Sequence, residues 1–438
     1  MNLVKVRSLI TGVSVLLSIL FFQTPSQAQQ KFITNLTEDS VPPYTLPDPL
    51  QKKGGTKISS VKQWESVQRP YIYHLFEENV YGRYPIKHTA IRYQVLSQVN
   101  NALSGKAIRK QIRVYFSALD TTANMDILLY IPANAKQAVP VFMGLNFYGN
   151  QSTIADTGVT ITPKWVIKGA GILDNKATEA SRAVQWQQWD IEEAVDRGYA
   201  VATVFCGDLE PDFPEGWKTG IRFKLQHELA IRPDEWGAMG AWAWGLSRMV
   251  DYLEKEPLVN AKQIILIGHS RLGKAALWAG ASDQRFAAII SNESGEGGAA
   301  LSKRYYGETV AIINQKFPHW FAENYKKYND KTDLLPIDQH MLLSLLAPRP
   351  LYVASALGDQ WSDPKGEFLS AWHAGNVYAL YGKKGVGIDT MPAIEHPVGN
   401  QIRYHIRNGK HDVTEYDWRQ YLRFADDFFK RWLGVVND

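Results

Sequence analysis

From about residue 183 onward the sequence alternates between short apolar runs and longer stretches patterned like helices. This alternation constrains the fold more than any other feature. A helical stretch near 183–196 leads to an apolar run at 199–206 (YAVATVFC), and a helix near 236–254 leads to a strand at 263–267. A helix at 272–280 leads to a strand at 286–291, and a helical or irregular excursion at 300–346 leads to a strand at 350–356. A helix near 364–381 precedes a strand at 401–407, and a last helix covers about 414–433. Strands that lack polar alternation must be covered on both faces, and parallel strands need crossover helices that supply the cover. The pattern therefore predicts an α/β chain with a mostly parallel sheet between two helical layers, a three-layer sandwich.

Upstream, the runs at 91–99, 112–116 and 125–131 begin with period-two patterning, whereas 139–145 (VPVFMGL) is nearly all apolar. That shift predicts an antiparallel edge passing into a parallel centre. Residues 149–180 read as a long loop, and about 60–80 as a helix restricted in its middle by Pro70. With 438 residues and 45% apolar content the chain can bury one large core, so 61–438 is expected to form a single domain. Residues 29–60, with VPPYTLPDPL at 41–50, read as an extended surface arm.

The first residues, MNLVKVRSLITGVSVLLSILFFQTPSQAQQ, combine a basic start, a short apolar core and Ser26-Gln27-Ala28. This describes a secretory signal peptide over 1–28, cut after Ala28, and so an exported protein that keeps no membrane insertion. The apolar run is short for a membrane span. Net charge is +4 with no Lys/Arg-rich block, which gives nucleic-acid binding little support. Cys206 is the single cysteine, so no internal disulfide is possible and stability must come from the core. No H-E-x-x-H pattern occurs among the ten histidines, so neither a metal nor another cofactor is expected.

Gly268-His269-Ser270-Arg271-Leu272-Gly273 lies between an apolar strand and an alanine-rich helix. A sharp strand-to-helix turn lifts a serine oxygen above a sheet, the arrangement of a hydrolase nucleophile. The usual spacing is G-x-S-x-G, and here the second glycine comes one residue later. The plain alternative makes Ser270 a helix cap. Downstream, Asn408-Gly409-Lys410-His411-Asp412 follows the strand at 401–407, placing His411 where a base for Ser270 belongs. His405 inside that strand reads as packed, His396 is a weaker candidate, and His269 is expected to turn away from the serine. Asp359, after the strand PLYVASALGD, and Glu293, after AAIISNESG, compete to orient His411.

GHSRLGKAALWAGASD, NESGEGGAAL, GDQWSDPKGE and GKHDVTEYDW together resemble the glucuronoyl esterases, above all their bacterial branch. The likeness runs from about residue 44 to the C-terminus. It implies an α/β-hydrolase fold and cleavage of esters between (4-O-methyl-)glucuronic acid on glucuronoxylan and lignin alcohols. By the same resemblance Ser270 is the nucleophile and His411 the base, with the acid at Glu293 or Asp359. Arg271 is then the oxyanion donor, and Lys274, Glu308, Trp361 and Gln315 match sugar-contacting positions. An acetyl-xylan esterase or other serine hydrolase is the rival reading, and a silent carbohydrate-binding protein the more distant one.

Overall fold

In the computed structural model, which describes residues 34–86, 89 and 91–430, ten strands form one sheet. The predicted signal segment, residues 29–33 of the arm and the end of the last predicted helix lie outside the described residues. In chain order the strands are β1 (Arg92–Ala102), β2 (Ala107–Tyr115), β3 (Asn124–Pro132), β4 (Val139–Asn146) and β5 (Ala200–Phe205). They continue as β6 (Val259–His269), β7 (Ala288–Asn292), β8 (Leu351–Ala356), β9 (Val398–Gly399) and β10 (Ile402–Arg407). Their order across the sheet is β1-β2-β3-β5-β4-β6-β7-β8-β10-β9. The strands from β5 through β4, β6, β7 and β8 to β10 are parallel to one another, whereas β1, β2 and β3 are antiparallel. This is the α/β-hydrolase architecture expected from the sequence.

The two faces bury separate apolar clusters. On one lie α2 (Ala238–Leu253), α3 (Arg271–Ser282) and α4 (Pro364–Leu380). On the other lie α1 (Ile191–Asp196) and α5 (Glu415–Ala425), whose Trp418, Tyr421, Leu422 and Phe424 pack on Phe142, Ile265 and Tyr352. Strand β2 alternates in burial as predicted, but β3 is buried along nearly its whole length. The insertion after β4 is the reason, since its Ile154 and Val159 cover Leu128 and Tyr130 on the face the alternation had assigned to solvent.

Two predicted helices are broken. The stretch at 183–196 divides at Asp190, whose φ of 32° is left-handed, a conformation that Asp tolerates better than most residues. Around Pro70, the helix over Val61–Tyr81 passes through π-helical turns at Trp64–Gln68 and Glu77–Tyr81. The wider turn before Pro70 accommodates its missing N–H without ending the helix.

Thr34 onward forms one compact unit. The arm is tied to it by Glu38, which pairs with Arg304 and Lys365 at 2.8 and 2.7 Å, and by His340 against the Pro47 carbonyl at 2.9 Å. Among the described residues no helix is long and apolar enough to cross a membrane.

Candidate active site

Parallel register brings four strand ends to one edge. His269 pairs with Asn292, Asn292 with Ala354, and Ala356 with Arg407. The ladder continues past the strands through Ser270 N to Asn292 O (2.9 Å), Glu293 N to Ala354 O (2.8 Å) and Gly358 N to Gly409 O (2.8 Å). Ser270, Glu293, Asp359 and His411 therefore project from the carboxyl edge, where open α/β sheets bind ligands.

Ser270 has φ 56° and ψ −133°, a region that residues with a Cβ rarely occupy. Its side chain makes no capping hydrogen bond to α3, which sets aside the plain reading of a helix cap. The late second glycine also has a steric account. A Cβ on Gly268 would stand 2.2 Å from the Leu272 carbonyl oxygen, and one on Gly273 would stand 3.0 Å from the Gly268 oxygen and from Ser294 Cβ. The turn closes through both glycines. Gly268→Ala is expected to destabilise the protein by about 3 kcal/mol or more, read as a lowered midpoint in chemical denaturation.

His411 Nδ1 lies 2.6 Å from Asp359 Oδ2 and 3.1 Å from Glu293 Oε2. Both carboxylates thus face the same imidazole nitrogen, and both alternatives from the sequence are brought together. Burial alone would lower the His411 pKa, but hydrogen bonds to Asp359 and then Glu293 outweigh it and raise it to about 9. Burial pushes Glu293 up to about 7 despite His411 and Arg407, whereas Asp359, less deeply buried, is held below its ordinary value by His411. Glu293 has further obligations: Arg407 Nη2 donates to its Oε1 at 2.6 Å and the Asp412 amide to its Oε2 at 3.0 Å. His405 is packed as expected, between Tyr352 and Asp417, and His396 is exposed and bonded to the Ile394 carbonyl.

His269 corrects an expectation. Its ring does not leave the site but lies 4.5 Å from that of His411, with Nδ1 against Asn292 Oδ1 at 2.7 Å. Burial and the neighbouring His411 push its pKa down to about 3, so it stays neutral beside the other imidazole. Among the described residues, His269, Glu293 and His411 form a group with ligand atoms within 4.8 Å of one another, which could hold a metal ion. No local motif marks this group, because its members come from three separate parts of the chain: the end of β6, the turn after β7 and the loop after β10.

Arg271 does form an ion pair, with Asp212: Nε and Oδ2 stand 2.6 Å apart, without the alignment of a hydrogen bond. Its guanidinium carbon lies 4.4 Å from the centre of the Phe147 ring. Lys274 is buried rather than exposed, and its ammonium donates to the carbonyls of Ser294 and Glu296, both at 2.6 Å, and stands 3.9 Å from Glu308. Burial pushes the Glu308 carboxyl up, with Lys274 opposing. The Glu308 amide donates to the Trp361 carbonyl at 2.9 Å, and Lys316 Nζ stands 4.0 Å from the centre of the Trp361 ring. These contacts gather Lys274, Glu308 and Trp361. The Gln315 side chain is exposed and makes no hydrogen bond to the described residues, so it is not joined to them. Asp212, Phe147 and Arg407 were not found from the sequence. Only Arg407 carried a signal, being an arginine in an otherwise buried strand that must have a carboxylate partner.

A family model for fungal glucuronyl esterases matches residues 222–382. A carbohydrate esterase from an unknown prokaryotic organism is 45% identical over 424 residues, 96% of this chain and 98% of that protein. Among solved structures, a glucuronoyl esterase from Solibacter usitatus is 50% identical, covers 89% of this chain and 99% of its own, and superposes with a TM-score of 0.83. A promiscuous CE15 esterase from a marine bacterial metagenome is 47% identical, covers 90% of this chain and 99% of its own, and has a TM-score of 0.84. With near-complete coverage at these identities, the chain belongs to the glucuronoyl esterases, a family of carboxylic-ester hydrolases.

Proposed function

We propose that the protein hydrolyses the ester between (4-O-methyl-)glucuronic acid of glucuronoxylan and a lignin alcohol, through a Ser-His-acid triad. The observation that carries the mechanism is the His411 imidazole held at Nδ1 by Asp359 and Glu293, on the same sheet edge as the strained Ser270 turn. Nδ1 is occupied by the carboxylates, which leaves Nε2 as the basic nitrogen.

In this reading His411 takes the Ser270 hydroxyl proton as Oγ attacks the ester carbonyl. The tetrahedral oxyanion is met by the Arg271 guanidinium and by backbone N–H groups at the start of α3. Preorganised donors of this kind each contribute about 3–4 kcal/mol of barrier lowering. Collapse breaks the ester C–O bond, and the protonated His411 gives its proton to the departing alcohol. Water then attacks the glucuronoyl-enzyme by the same route in reverse, regenerating Ser270. Lys274, Glu308 and Trp361 contact the uronic acid, with Lys274 keeping one donor beyond its two carbonyl partners.

The substrate class rests on the family, and the exported location rests on the sequence of residues 1–28. The test is hydrolysis of benzyl glucuronate set against methyl galacturonate and an aryl acetate. Preference for the glucuronate ester is expected. Because one relative is described as promiscuous, the acetate comparison decides most. Faster turnover of the acetate at equal concentration removes the glucuronoyl assignment while keeping the serine hydrolase.

A further inference from the structure

We propose that Asp212 is a positioning residue for the reaction: it fixes the Arg271 guanidinium so that its two terminal nitrogens point at the developing oxyanion. The proposal rests on the reading of Arg271 as oxyanion donor.

The geometry of the pair is unusual for an arginine and a carboxylate, which commonly meet through two parallel N–H donors. Here Asp212 approaches Nε, its Oδ2 standing 2.6 Å away without the alignment of a hydrogen bond. Its other oxygen, Oδ1, is already committed, accepting from Trp320 Nε1 at 2.7 Å and facing His319 Nε2 at 2.9 Å. The carboxylate is therefore held from behind and is not free to swing round and capture the terminal nitrogens. Among the described residues, Nη1 and Nη2 of Arg271 donate to no protein acceptor. The Phe147 ring lies against the guanidinium at 4.4 Å, and Trp320 stands 6.0 Å away.

These groups come from separate parts of the chain. Phe147 follows β4, Asp212 lies in the loop beyond the short helix Cys206–Leu209, and His319 and Trp320 belong to the long excursion between β7 and β8. Arg271 is the first residue of α3, with a flexible side chain that its own helix does nothing to orient. Burial alone would raise the Asp212 carboxyl, but Arg271, then His319 and Trp320, hold it below its ordinary value, so it is ionised. A negative charge beside an oxyanion donor partly cancels the field that the donor exerts. If neutralisation were its only effect, removing the charge would speed the reaction. If it positions the guanidinium, removal slows the reaction, because a donor displaced by about 1 Å forfeits much of its effect. The two roles predict opposite signs.

The test measures kcat and KM on benzyl glucuronate for Asp212→Asn, Arg271→Ala and the double variant in the full chain. Arg271→Ala is expected to lower kcat by about 100- to 1,000-fold. Asp212→Asn is expected to lower kcat roughly 10- to 100-fold with KM within about threefold. In the Arg271→Ala background the same Asp212 substitution is expected to change kcat by less than about threefold. Wild-type or faster turnover by Asp212→Asn overturns the positioning role, and so does an equal loss in both backgrounds. If Arg271→Ala itself keeps wild-type kcat, the oxyanion reading of Arg271 falls instead. Should Asp212→Asn not fold, His319→Leu combined with Trp320→Phe frees Oδ1 while keeping the carboxylate. That pair is expected to lower kcat about tenfold, and unchanged kcat in it overturns the proposal.

Discussion

Ser270→Ala is expected to lower kcat on benzyl glucuronate by about 10⁴- to 10⁶-fold, the range seen when a nucleophile that works as part of a unit is removed. Folding should survive, because alanine keeps the Cβ and Ser270 makes no capping hydrogen bond for its hydroxyl to lose. The same position offers a second, independent reading. With φ 56° and ψ −133°, Ser270 is held in a conformation that costs on the order of 1–3 kcal/mol for a residue with a side chain. Ser270→Gly relieves that strain, offset by roughly 0.5–1 kcal/mol of added chain entropy in the unfolded state. The glycine variant is therefore expected to be as inactive as the alanine one and at least as stable as the wild type, measured by thermal or chemical denaturation. Strain maintained at the residue that carries the chemistry is the usual trade between stability and function. Residual activity within tenfold of wild type in either variant excludes Ser270 as the nucleophile.

The layers of the fold were legible because burial writes itself into the sequence. Strands β5 and β7 are buried along their whole length and read as mostly apolar runs, and α2, buried over almost its whole surface, reads as a helix dense in Ala, Trp and Met. Where cover comes from a distant segment, the pattern misleads. Strand β3 reads as half-buried from its place among period-two runs, although the insertion after β4 buries its outer face. The turn at Ser270 and the loop at His411 were legible from their places after predicted strands. The orientation of side chains at those ends was not: His269 Nδ1 meets Asn292 Oδ1, and its ring lies against that of His411. Asp212 was illegible for a related reason. An aspartate in PDFPEGW carries no periodic signal, and its partners lie 59 and more than 100 positions away, so only the folded chain brings them together.

The two carboxylates on His411 lead to the other large effect. Asp359 makes the shorter contact, at 2.6 Å against 3.1 Å for Glu293. Glu293 is meanwhile bound by Arg407 and by the Asp412 amide, next to His411 in the same loop. This division makes Asp359 the principal partner of the imidazolium and Glu293 the group that also fixes the loop. Asp359→Asn is expected to cost about 10- to 100-fold in kcat, because Glu293 still faces Nδ1. The double variant with Glu293→Gln leaves no ionised carboxylate there and is expected to lose about 10⁴-fold, the scale of a triad whose acid has been neutralised. The losses should be far from additive, since either carboxylate alone can select the tautomer. The pH profile separates the two. Neutral His411 is the base, so kcat/KM rises with pH through the His411 pKa of about 9 in the free enzyme. Asp359 contributes the larger of the raising effects, against burial, which favours the neutral ring. Removing its charge must lower the His411 pKa, and the rising limb of kcat/KM is expected to move to lower pH in Asp359→Asn. Glu293→Gln should move it in the same direction by less. A limb that moves with Glu293→Gln but not with Asp359→Asn reverses the assignment, and a double variant no slower than one of the singles shows that the other carboxylate is idle.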